Sequence, residues 1–114
     1  MPSSTLIVAR MAHASAPQVA KLFRESDLGT ALPRELGVRR RSLFQYHDLY
    51  FHLVDFTGPA DQAIRTGAEL PDFRQLSDAL SGFITPYDPQ TWRSPADAMA
   101  QEFYRYEAPA EVLT

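Results

Sequence analysis

Residues 35–56, ELGVRRRSLFQYHDLYFHLVDF, constrain the fold more than any other stretch of the 114-residue chain. Two runs, 38–45 and 49–56, are rich in β-branched and aromatic side chains, and the polar pair His47-Asp48 separates them by the length of a tight hairpin turn. A two-residue turn pairs Tyr46 with Leu49, Phe44 with Phe51, Leu43 with His52 and Arg41 with Val54. Strand alternation then puts Arg39, Arg41, Leu43 and Gln45 on one face with Tyr50, His52, Val54 and Phe56. Val38, Arg40, Ser42, Phe44, Phe51 and Leu53 fall on the other. On the first face Arg41 lies diagonal to His52, roughly 7–8 Å away across neighbouring strands and within reach of a long side chain.

The rest of the chain is read around this hairpin. Residues 5–10, TLIVAR, form a short apolar run that predicts a first strand. Ser15 as cap, Pro17 in a first turn and Gln18 as the fourth member of a capping box predict a helix with Val19, Leu22 and Phe23 as its apolar face, ending near Glu25 or Ser26. Gly29, Pro33 and Gly37 punctuate residues 26–37 as a loop, with Asp27 at its start. After the hairpin, Thr57 to Ala60 predict a cap and a second helical region anchored by Ile64 and weakened by Gly67. Phe73, Leu76, Leu80 and Phe83 lie on one face of a 3.6-residue period and predict a stronger helix over residues 70–83, closing at Gly82. Pro86, Pro89 and Pro95 exclude a helix or a central strand over residues 84–95, which leaves a loop carrying Tyr87 and Trp92. Alternation over residues 98–106 predicts the last strand, and residues 107–114 a flexible tail.

The order β-α-β-β-α-β is that of an α+β, ferredoxin-like fold, and the length suits a single domain over residues 1–114. Helices on one side of such a sheet leave Phe44, Phe51 and Leu53 bare on the other. Two sheets packed face to face would cover them, so a homodimer of the dimeric α/β-barrel type is expected.

Several classes of function are disfavoured. A formal net charge of −3 opposes nucleic-acid binding, and the run Arg39-Arg40-Arg41 alternates sides on a strand, so it makes no basic stripe. No apolar run approaches the ~20 residues of a membrane span, and the N-terminus lacks the pattern of a signal peptide, so a cytoplasmic protein is expected. The chain has no cysteine, hence no disulfide and no thiolate metal site. The histidines, His13, His47 and His52, have no metal-ligand spacing, and the nucleophile-elbow, P-loop and dinucleotide motifs are absent. Proton chemistry remains. His13 reads as a surface turn residue and His47 as turn chemistry. His52 is mid-strand among large apolar residues, where a histidine is either a satisfied core residue or a working one. The candidates are His52 as base or acid, Arg41 as the cation facing a developing oxyanion, and Asp27 as orienter or second acid/base group.

Glu35-Leu-Gly-Val-Arg-Arg-Arg, His47-Asp-Leu-Tyr-Phe-His-Leu and Thr85-Pro-Tyr, together with Arg10-Met11 and Glu102-Phe-Tyr, resemble the TcmI-type polyketide cyclases over residues 6–106. These are small, cofactor-free, dimeric bacterial enzymes of aromatic polyketide biosynthesis. The resemblance implies intramolecular aldol-type ring closure and dehydration of a poly-β-ketone or partly cyclised intermediate, either free or bound to a carrier protein, with no metal or other cofactor. His52, Arg41 and Asp27 match the family's pocket residues, and Ser26, Tyr50, Gln45 and Trp92 are the expected substrate-binding set. Ser26 stands where the family's named member has a histidine and cannot shuttle protons as an imidazole does. Two rival readings use the same pocket: a cofactor-independent oxygenase acting on an anthrone, and a non-catalytic chamber that folds the reactive chain.

Overall fold

The structure, a computed structural model, describes residues 3–93 and 95–109. Its centre is the expected hairpin. Strands β2 (Val38–Tyr46) and β3 (Leu49–Phe56) pair antiparallel with Tyr46 opposite Leu49, Phe44 opposite Phe51, Leu43 opposite His52 and Arg41 opposite Val54. His47 takes a left-handed φ of 55° at the turn, and the Asp48 carboxylate beside it accepts a hydrogen bond from Arg10 Nη1 at 2.8 Å. One feature of the hairpin departs from strict alternation. The register shifts between Val38 and Arg40, a β-bulge that turns Val38 to the helix side, where it packs with Val54 and Phe56.

Strand β1 (Ser3–Met11) lies antiparallel to β3, with Ile7 opposite His52 and Ala9 opposite Tyr50. With Ile84–Thr85 as the short strand β4, the sheet order is β2-β3-β1-β4, all neighbours antiparallel, as in a ferredoxin-like sheet. The fourth strand is not where alternation put it. It is Ile84–Thr85, paired with Arg10 and Met11 at the sheet edge, inside the proline-rich stretch read as a loop. Proline excludes a central strand but not an edge one, and Pro86 stops this strand after two residues. Residues 98–106 are not a strand. Met99 forms an isolated bridge with Ile7 and the Ala100 amide donates to Leu6 at 2.7 Å, after which the chain leaves the sheet with Phe103 95% exposed. Of the expected tail, residues 110–114 lie outside the described residues.

Helix α1 (Ala16–Gly29) runs about a turn beyond its expected end near Ser26. Its stop is Thr30, which is extended and donates both its amide and its hydroxyl to the Ser26 carbonyl. Ser15 makes no capping bond, because a 3₁₀ turn over His13–Ser15 holds it in helical rather than extended geometry. The expected loop after α1 contains a short helix, α2 (Leu32–Leu36), with Pro33 in its first turn and Gly37 as its left-handed cap. Helices α3 (Ala60–Gly67) and α4 (Pro71–Leu80) follow the hairpin. Thr57 does not cap α3; its amide instead donates to Gly37 at 2.8 Å.

Val19 and Phe23 of α1 pack on Ala9, Met11 and Tyr50, with Leu76, Leu80 and Phe83 against them. A second cluster joins Val54 and Phe56 to Ala63. Gly37 links α2 to the hairpin at a φ of 74°, and a Cβ there would stand 2.7 Å from the Thr57 hydroxyl oxygen. Gly37→Ala is therefore expected to lower stability by about 1–2 kcal/mol, through backbone strain and this close approach. Urea unfolding of the two proteins checks it; an unchanged midpoint contradicts it.

Candidate active site

A cavity of about 400 Å³ opens between the helix-facing side of the sheet and α4. The sheet contributes Ile7, Tyr50, His52 and Arg41, α1 contributes Phe23, and α4 contributes Phe73, Leu76, Ser77 and Leu80. Most of its wall is apolar, as suits a small organic ligand. The loop after β4 closes one side with Pro86 and Trp92. Arg10 holds that loop: its guanidinium stacks 4.5 Å from the Tyr87 ring centroid, and Nε donates to the Tyr87 carbonyl at 3.3 Å.

Arg41 and His52 in the wall join Asp27, which is not among the lining residues, in one connected chain. Because α1 extends past Ser26, Asp27 lies in its last turn rather than in a loop, and its carboxylate meets Arg41 on β2. Arg41 Nε donates to Asp27 Oδ2 at 3.0 Å and Nη2 to Oδ1 at 2.9 Å, a bidentate pair of good geometry. Arg41 Nη1 sits 2.9 Å from His52 Nε2. Of the guanidinium's five N–H groups, three are thus committed to Asp27 and His52. Phe23 packs against both partners, its ring 4.8 Å below the Arg41 carbon and edge-on to His52 at 5.1 Å between centroids.

His52 is buried, 8% exposed. Burial first, and then the Arg41 charge, push its pKa down to about 3, so the imidazole is neutral at ordinary pH. Tyr50, two residues earlier on the same face, has its ring 6.2 Å from that of His52. Burial pushes the Tyr50 phenol up, against a smaller downward pull from Arg41, so it stays protonated. A neutral imidazole, a phenol and a guanidinium line one wall.

The His52 shift has a consequence for stability. Unfolded, His52 takes up a proton near pH 6.5; folded, it does so only near 3, so between these values the unfolded chain binds more protons and stability falls as pH falls. Its contribution is on the order of a few kcal/mol. His52→Gln is expected to flatten the acid limb of stability against pH below about 6.5, measured by denaturant unfolding at several pH values. Parallel curves for the two proteins contradict this.

The expected residues do not all meet here. Trp92 and Tyr50 line the cavity with Arg41 and His52. Ser26 is buried in α1 and is not among the lining residues. Gln45 lies beyond Tyr50, where it lines a separate space of about 140 Å³ and approaches the His13 ring at 3.3 Å. Its outward position follows from the strand running past the cavity toward the turn. Ser77 and Leu36 belong to the lining and were not anticipated. Ser77 sits four residues after Phe73 on the helix face already read as apolar, and that adjacency was the available signal. No cluster of metal-ligating side chains occurs among the described residues.

The sequence model of the polyketide synthesis cyclase family matches residues 3–107. An uncharacterised protein of Streptomyces coelicolor is 50% identical over 104 residues, covering 90% of this chain and 93% of the relative. The polyketide synthase CurG of Streptomyces cyaneus is 44% identical over 103 residues, 90% of this chain and 94% of that one. Tetracenomycin F2 cyclase of Streptomyces glaucescens is 38% identical over 109 residues, 96% of this chain and 98% of its own. The crystal structure of that type-II polyketide cyclase superposes with a TM-score of 0.85, covering 94% of this chain and 99% of that one.

Proposed function

The chain belongs to the polyketide synthesis cyclase family, and from that premise we propose that it closes a ring of an aromatic polyketide by intramolecular aldol condensation and dehydration. The observation that carries this reading is the Arg41–His52 pair in the wall of a mostly apolar cavity of about 400 Å³, with Asp27 bonded to Arg41 from behind. The methylene between two carbonyls of a poly-β-ketone loses a proton. Its carbon attacks a second carbonyl of the same chain, and the alkoxide so formed is protonated. The hydroxyl then leaves as water with a hydrogen of the neighbouring carbon, after which the remaining ring ketones enolise to give the aromatic ring. Negative charge builds on oxygen in the first two steps, and donors already in position stabilise it without reorganising. Apolar walls hold the chain in one folded arrangement, so that the two reacting carbons meet as a unimolecular pair. Tyr50 and Trp92 supply flat contact surface for such a chain.

The polyketide is taken up free or on a carrier protein, and two copies of the enzyme pack through the sheet face opposite the cavity. No described helix is long and apolar enough to cross a membrane, which fits a cytoplasmic setting for this chemistry.

The direct test is anaerobic incubation of the enzyme with a polyketide chain freshly made by a minimal synthase. The expected product is the cyclised compound, lighter than its precursor by one water, formed without oxygen. A product that appears only with oxygen uptake in step with it would make the protein an oxygenase instead. Product identical in kind and rate with and without enzyme would contradict the cyclase and the folding-chamber readings alike.

A further inference from the structure

The contact between Arg41 and His52 fixes which nitrogen of the imidazole carries the proton. A guanidinium has N–H donors and no acceptor, so His52 Nε2, 2.9 Å from Arg41 Nη1, is the acceptor of that bond. A neutral imidazole that accepts at Nε2 bears its hydrogen on Nδ1. Nδ1 makes no bond to a protein group among the described residues, yet none of their buried side-chain nitrogens or oxygens is left unsatisfied. It is therefore reached from the cavity that His52 lines.

Resting on the cyclase reading above, we propose that His52 serves ring closure as a fixed Nδ1–H hydrogen-bond donor to the substrate oxygen that becomes negative, not as the base. Arg41 is the positioning residue that holds this tautomer, and Asp27 holds Arg41. In the carbon–carbon bond-forming step the enolate carbon's electron pair forms the new bond. The π pair of the attacked carbonyl moves to its oxygen, and Nδ1–H hydrogen-bonds that alkoxide. The hydrogen stays on nitrogen. Water takes the methylene proton beforehand and protonates the alkoxide afterwards.

The groups facing the imidazole agree with this role. From β2 comes Arg41, from α1 Asp27 behind Arg41 together with the Phe23 ring, and from β3 the Tyr50 phenol. From α4 the cavity receives Phe73, Leu76 and Ser77, none of which titrates near neutral pH. A proton added to His52 would set an N–H against the N–H of Arg41, so the ring is held neutral twice over, by burial and by that neighbour. A base needs a free lone pair, and the only one on this ring already points at a guanidinium.

Two measurements test the proposal. In ¹⁵N-histidine NMR of the wild-type protein, His52 is expected as the Nδ1–H tautomer with no titration from pH 5 to 8, the range in which an ordinary histidine changes charge. Arg41→Met, if folded by circular dichroism, is expected to release the tautomer. An Nε2–H tautomer, or a midpoint inside that range, overturns the proposal. The second measurement compares cyclised-product rates of His52→Asn, whose amide N–H takes the place of Nδ1–H, with those of His52→Gln. Asparagine is expected to keep the rate within about tenfold of wild type, and glutamine to lose roughly 10²–10³, as for removal of one oxyanion donor. Equal large losses in both variants overturn the donor role and leave the cyclase site standing. Wild-type rates in both overturn the site reading and the donor role with it.

Discussion

Arg41→Met is expected to slow formation of the cyclised product by roughly 10²–10³ while leaving the chain folded. Methionine fills much of the arginine's stem volume and can still lie against the Phe23 ring, so the packing loss is small. The electrical loss is not. Asp27 keeps a partly buried carboxylate without its bidentate partner, and His52 loses the donor at 2.9 Å that fixes its tautomer. Burial still holds the His52 pKa below its ordinary value, but without the Arg41 charge the depression is smaller. The variant should therefore show a His52 titration shifted upward, which a purely structural role of Arg41 would not produce. Arg41→Lys keeps the charge and loses the planar fork, so it is expected to be damaging as well. Arg40→Lys is the control. Arg40 is bonded to Asp55 at 3.3 Å on an exposed part of β2, away from the cavity, and the change is expected to be silent for chemistry. Initial rates of cyclised product from the three variants at matched concentration decide this; a wild-type rate in Arg41→Met contradicts it.

Phe51→Glu is expected to convert a dimer into a monomer at micromolar concentration. On the face of the sheet away from the helices, Val8, Phe44 and Phe51 stand side by side across three strands, with Leu6 and Leu53 as the next row. Phe44 is 54% exposed in the single chain. Such a patch in water favours association, and a carboxylate at its centre would have to be buried without a partner, at a cost of several kcal/mol. Sedimentation should give twice the chain mass for the wild-type protein and the chain mass for the variant. A monomeric wild type, or a variant that stays dimeric, contradicts the assigned interface.

The hairpin was legible because its information is local: a two-residue turn sets the register, and the register sets which side chains share a face. The Arg41–His52 neighbourhood followed from that alone. The bulge at residues 38–40 was not legible, since no glycine or other local mark announces it. Pro33 and Gly37 were read as breaks but instead begin and end α2, which shows that the same two residues punctuate loops and short helices alike. The last strand was missed for a different reason. Residues 101–106 alternate well, but alternation supplies only a candidate strand. Pairing needs neighbours along an edge: Ile84–Thr85 pair with Arg10 and Met11, whereas residues 98–106 pair with β1 only at the Met99–Ile7 bridge and the Ala100–Leu6 bond before the chain turns away. In the site, Asp27 reaches Arg41 from a helix rather than from the expected loop, because Thr30 and not Ser26 stops α1. Gln45 was drawn in by sharing a face with His52; a shared face does not mean a shared cavity when the strand runs several residues farther.

That Arg41 and His52 act as one unit is tested most directly by a double-mutant cycle on the rate of cyclised-product formation, using wild type, Arg41→Met, His52→Gln and the double variant, each checked for fold by circular dichroism. Residues that work only together lose their effect once, so the double variant is expected to be about as slow as the slower single variant. Losses that multiply would show two independent contributions, and single variants at the wild-type rate would show that the cavity wall does not carry the chemistry.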